Sequence, residues 1–157
     1  MINTLNKIII LTALLFFSHC KAEDSPMKIF TYVNGVKSEV QLKSEQNNRV
    51  NQILSDLLIK TDDLLRVHFD DERIVEIKSI EKCIEIIFDK EKIFNTGFFG
   101  ETSIKKVLIP LSGDFQASEK IDIVTVIIGV EEYSSSPLTA SGGFKLIQEL
   151  EALLFSK

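Results

Sequence analysis

The chain has 157 residues, 45% of them hydrophobic and 26% charged, with seven glycines, two cysteines and a formal charge of −5. This composition excludes a disordered, collagenous or disulfide-dense chain and suits one globular domain with a true hydrophobic core.

Residues 1–22 read as a secretory signal segment. A short polar start through Lys7 precedes the apolar run from Ile8 to Phe17, interrupted only by Thr12, and Ser18 to Ala22 are small or polar. Ten residues make a helix of about 15 Å, against the roughly 20 residues that span a bilayer, so no transmembrane span is expected after processing. Two routes compete: cleavage after Ala22, or lipidation of Cys20. The stretch Phe17-Ser18-His19-Cys20 resembles the bacterial lipobox at Ser18 and Cys20 and departs from it at Phe17 and His19. Either route exports the chain to the periplasm or cell envelope.

Removing residues 1–22 removes Lys7 and Lys21 and no acids, which leaves 16 cations against 23 acids, a net −7. Nucleic acid and anionic membrane surfaces are poor partners for such a charge, whereas a cationic protein fits it. Cleavage leaves Cys83 alone and lipidation consumes Cys20, so no intramolecular disulfide forms. Strand alternation sends Ile84, Ile86 and Phe88 to one face and Cys83, Glu85 and Ile87 to the other. Shelter for the Cys83 thiol therefore requires a second layer or a neighbouring strand.

Residues 23–26 read as a polar linker. Met27 to Val33 and Val36 to Leu42 alternate as strands around Asn34-Gly35, a strong signal for a type I′ hairpin. Ser44 stands as an N-cap before a helix over about 45–60, with Val50, Ile53, Leu54, Leu57 and Leu58 as its apolar stripe, placed to cover the dry face of the hairpin. Further strands are expected over Leu64–Phe69, Arg73–Lys78, Lys82–Phe88, Ile104–Leu111 and Ile121–Gly129, the last of them central and covered on both sides. The segment Arg73–Ile80 has a second reading as a short helix after Asp70, because Ile74, Ile77 and Ile80 recur every three residues. Turns are expected at Ser112-Gly113-Asp114 and Ser134 to Pro137. Ser141-Gly142-Gly143 opens a closing helix striped by Leu146, Ile147, Leu150, Leu153 and Leu154. The whole, residues 27–157, reads as one α+β domain: a mainly antiparallel sheet with two amphipathic helices packed on it.

Chemistry-bearing constellations are sparse. A Cys83–His68–Asp70 nucleophilic triad lacks a nucleophile turn, and a zinc site lacks ligands, since processing leaves one histidine and one cysteine. Asp70-Asp71-Glu72 reads as an acidic surface turn rather than a calcium loop. Ser141-Gly142-Gly143 at a helix start offers backbone N–H groups to an anion, though such a loop is more often only a flexible helix entry. Asp70, Asp71 or Glu85 are the carboxylates from which a small envelope enzyme acting on glycans would be built. No catalytic residue, metal ligand or cofactor is assigned.

The most informative segment is Asn95 to Thr102, where Phe98 and Phe99 stand side by side between Gly97 and Gly100. Adjacent residues cannot easily both bury on one strand face, so two readings stand: both rings cap an open edge of the core, the more ordinary outcome for large aromatics, or at least one is exposed as a binding anchor. Tyr133, with Glu131 and Glu132 before it, forms a second candidate contact surface. The expected function is that of an exported, non-catalytic protein-binding domain, such as an immunity or inhibitor protein of the bacterial cell envelope. A membrane-anchored accessory lipoprotein and a carboxylate-dependent envelope enzyme are the alternatives.

Overall fold

The computed structural model describes residues 26–155. Residues 1–22, expected to be a signal segment, Cys20, the candidate lipidation site, and most of the 23–26 stretch expected as a linker lie outside the described residues. Seven strands form one antiparallel sheet: β1 Met27–Val33, β2 Val36–Val40, β3 Thr61–Leu64, β4 Cys83–Thr96, β5 Gly100–Pro110, β6 Ile123–Gly129 and β7 Leu138–Ser141. Their order across the sheet is β2-β1-β4-β5-β6-β7-β3, so its outer strands, β2 and β3, have only five and four residues. Among the described residues three helices complete the α+β fold: α1 Ser44–Ile59, α2 Asp71–Ile80 and α3 Phe144–Phe155, with a short 3-10 turn at Gly113–Phe115.

The opening hairpin forms as its sequence dictates. Asn34 and Gly35 both take positive φ, 51° and 77°, which is what a two-residue turn matched to strand twist requires. The α1 stripe of Val50, Ile53, Leu54, Leu57 and Leu58 is fully buried. It packs chiefly on β4 and α3, while Ile29 and Val40 of the hairpin join the same core at its margin. Helix α1 begins one residue earlier than a Ser44 cap implies. Lys43 is the N-cap, its backbone N–H donating to Gln46 Oε1 at 3.1 Å, and Ser44 is the first helical residue.

Two cores lie on opposite faces of the sheet. The larger holds Ile84, Ile86 and Phe88 of β4 with Val124, Val126 and Ile128 of β6 under α1 and α3. The smaller gathers Tyr32, Cys83, Leu108 and Ile127 under α2 with Phe69. Cys83 thus receives its second layer, and β6 is apolar on both sides as expected.

Three local expectations are corrected. The strand expected over Leu64–Phe69 ends at Leu64, after which Leu65 and Phe69 donate their N–H groups to Pro137 O and Ser135 O instead of to a ladder. The alternation arises because the chain crosses the sheet edge there, with Leu64 packing on the larger core and Leu65 and Phe69 on the smaller. Arg73–Lys78 is helical, and Asp70 is the N-cap of α2, accepting from the Arg73 N–H at 2.8 Å. Asp70-Asp71-Glu72 is consequently a helix start rather than a surface turn. Finally, β7 is an additional strand, too short and too rich in Thr and Ser to stand out by pattern.

Candidate functional site

Strand β4 is the longest element of the sheet and carries a feature at each end. It passes through a register shift between Ile87 and Lys92 and pairs with β5 up to the tip at Thr96–Gly100. At this tip Phe98 and Phe99 are 40% and 56% exposed, their rings edge to face with centroids 4.8 Å apart. Neither ring is drawn into the core.

The tip is fastened from below. Gly97 N–H donates to Leu58 O at 3.0 Å, and Phe98 N–H reaches Thr61 Oγ1 at 3.4 Å. Phe99 N–H donates to Thr96 Oγ1 at 3.1 Å. A Cβ at Gly97 would lie 2.3 Å from the carbonyl oxygens of both Ile59 and Thr61, so this close approach to the end of α1 requires glycine. Gly100, at φ +74°, returns the chain into β5. Ile59, whose carbonyl approaches Gly97, is itself 55% exposed. The backbone under the two rings is therefore fixed before any partner arrives.

Toward the other end of β4, Glu85 lies on the smaller-core face and is only 4% exposed. Tyr32 donates to its Oε2 at 2.6 Å, Tyr133 to its Oε1 at 2.6 Å, and the Lys78 ammonium pairs with Oε1. Burial pushes the Glu85 carboxyl up, but these hydrogen bonds and the Lys78 charge outweigh it, so Glu85 titrates below the ordinary carboxylate value. Burial and the negative Glu85 beside them raise both tyrosine hydroxyls. Glu85 is thus held as a saturated, ionised carboxylate, a poor general acid or base at neutral pH.

Tyr133 is therefore turned inward, its hydroxyl engaged and its ring flanked by the ammonium groups of Lys106 and Lys78 at 4.6 and 5.1 Å. Glu131 and Glu132 are exposed beside it, and the Glu131 carbonyl accepts from Lys106. Leu108, which faces Glu85, and Gly100 at the tip are eight residues apart on β5, roughly 25 Å of strand. Phe98 and Phe99 thus form a patch of their own, apart from Tyr133, Glu131 and Glu132.

No protein-family model, no curated protein and no solved structure matches this chain.

The residues weighed for catalysis do not assemble. Cys83 is fully buried, and burial pushes its thiol up to about 12, which leaves almost no thiolate at neutral pH. His68 is exposed and lines a surface depression with Asp70, whereas Cys83 lies beneath α2. The N-terminus of α3 is occupied from within the chain: Asp122 Oδ1 accepts from the Phe144 N–H at 2.9 Å, the position an anion would take. No three His, Cys, Asp or Glu side chains converge as metal ligands among the described residues.

Sequence reasoning missed Glu81. It follows α2 as its C-cap and is 6% exposed, with no hydrogen-bond donor to Oε2 among the described residues. No local pattern marks its burial, and the return of the chain at Gly113 lies against its carboxyl group.

Proposed function

We propose that this chain is a non-catalytic binding domain that acts after export and captures a protein partner with the Phe98–Phe99 hairpin tip, in the manner of an immunity or inhibitor protein of the bacterial envelope. The observation that carries the reading is the pair of large exposed aromatic rings on a backbone fixed by Gly97, Thr61 and Thr96. Aromatic side chains on a rigid scaffold make strong anchors because they desolvate a large area and lose little conformational freedom on binding. The pattern of residues 1–22 supports export, and Cys20 lipidation would place the same surface at a membrane. The acidity of the exported part favours a cationic partner.

The test is expression of the full chain in a bacterial host, followed by recovery of the envelope fraction, intact mass and any stoichiometric bound protein. Phe98→Ala/Phe99→Ala removes two exposed rings and is expected to leave the melting temperature unchanged. It should weaken partner binding about 30-fold or more, as loss of a central aromatic anchor does. Unchanged capture by the double variant would discard the hairpin as the binding surface.

A further inference from the structure

Two adjoining depressions of about 460 and 310 Å3 run beside α2 and share Arg73 and Glu76, forming one groove. Its lining presents five carboxylates, from Asp70, Glu72, Glu76, Glu81 and Asp114, to the one guanidinium of Arg73. Much of the molecule's excess negative charge is thus focused in a small concavity, which strengthens its field. Arg73 is already committed, paired with Glu76, 3.8 Å from Asp114 and lying over the Phe115 ring at 5.0 Å.

Glu81 gives the groove an acceptor that the protein does not satisfy. It is more than nine-tenths buried, and its carboxyl group lies against Gly113 on the groove wall, where a Cβ would be 2.4 Å from Oε1. Its Oε2 receives no hydrogen bond from any donor among the described residues. A buried carboxylate without donors is costly and is ordinarily found paired. The acids are spread along the groove, with no three of them gathered as metal ligands among the described residues. This arrangement matches an elongated organic cation with several N–H donors better than a point charge.

We propose that this groove binds an alkylammonium or guanidinium group, which donates to Glu81 while further positive charge lies along Glu76 and Asp114. The smaller depression is at the lower end of the volume range of small-ligand pockets, enough for one such group and its methylene stem. The site lies at the Pro110 end of β5, far from the Gly100 tip, and stands independently of the hairpin reading.

Calorimetric titration of the full chain at about 50 mM salt with spermidine and, separately, with a tetra-arginine peptide tests the assignment, low salt being chosen because exposed charge is screened above it. Saturable one-to-one binding is expected. Glu81→Gln, which keeps the side-chain volume, should weaken it at least about tenfold, as loss of a charge-assisted hydrogen bond does. Glu39→Gln removes one negative charge from an exposed position on β2 and should leave it unchanged. Asp114→Asn, on a side chain that is almost fully exposed, provides a second variant free of folding effects and should weaken binding several-fold. Tighter binding of the peptide would assign the occupant to basic side chains of a protein, and tighter binding of spermidine to a free polyamine. No saturable binding of either probe, or the same change for Glu81→Gln as for Glu39→Gln, would overturn the proposal.

Discussion

Single residues on the smaller-core face behave as a linked set around Glu85. Lys78 supplies the charge that offsets burial of the carboxylate, and Tyr32 and Tyr133 supply neutral donors. Loss of the charge partner should therefore exceed loss of one hydroxyl. Lys78→Met is expected to cost about 2–3 kcal/mol, at the low end for a broken buried pair because Lys78 retains some solvent, and Tyr133→Phe about 1.5 kcal/mol. Urea unfolding of the two variants measures both. The position of Glu85 on the second face was legible from the alternation of Cys83 to Phe88. Its partners were not, because Tyr32 and Tyr133 are 53 and 48 residues away in sequence and no local pattern encodes such a meeting. Glu81 was illegible for the related reason that burial of a carboxylate beside a lysine is decided by a distant loop.

Among the elements, those with a long apolar period were readable. Both long helices and the Asn34-Gly35 hairpin follow from spacing and turn chemistry alone, since their stripes and turn residues lie within one segment. Short elements at the sheet margin were not readable: β3 and β7 have four residues each, and their pairing is fixed by neighbours rather than by their own pattern. Helix α2 lies between these cases. Its three-residue spacing and the Asp70 cap pointed to a helix, while its β-branched isoleucines also suited a strand. The cap should matter, because α2 is only ten residues long and helices of that length depend on end contacts and packing. Asp70→Ala is expected to cost about 1 kcal/mol. Because α2 roofs the cluster containing Cys83, the same variant should also raise the labelling rate of the Cys83 thiol under native conditions, as read by mass spectrometry. Unchanged labelling would show that the Asp70 cap does not hold α2 closed over Cys83.

For the whole molecule, the two buried glutamates act on stability with opposite signs. Glu85 titrates lower in the folded state than in the unfolded chain, so its contribution is present above the ordinary carboxylate pKa of about 4.3 and is lost as pH falls through the lower folded value. Glu81 is shifted up, by burial first. Its contribution is complete below the unfolded value and is lost as pH rises through the folded one. Melting curves from pH 3 to pH 8 should therefore show Glu81→Gln more stable than wild type by a few degrees at pH 7, with the difference closing toward pH 4. Glu85→Gln should be less stable at pH 7 and should lose less of its remaining stability in acid.

The outermost strands of the sheet carry a further consequence. A long flat edge would offer its free N–H and C=O groups to any passing extended chain. Here the margins are β2, whose residues alternate Lys37, Ser38 and Glu39, and β3, which carries Asp62 and Asp63 beside a register irregularity. Short, charged and irregular margins resist templated strand addition. Any binding partner is thereby directed to side-chain surfaces rather than to the backbone, and the chain is protected from edge-to-edge polymerisation.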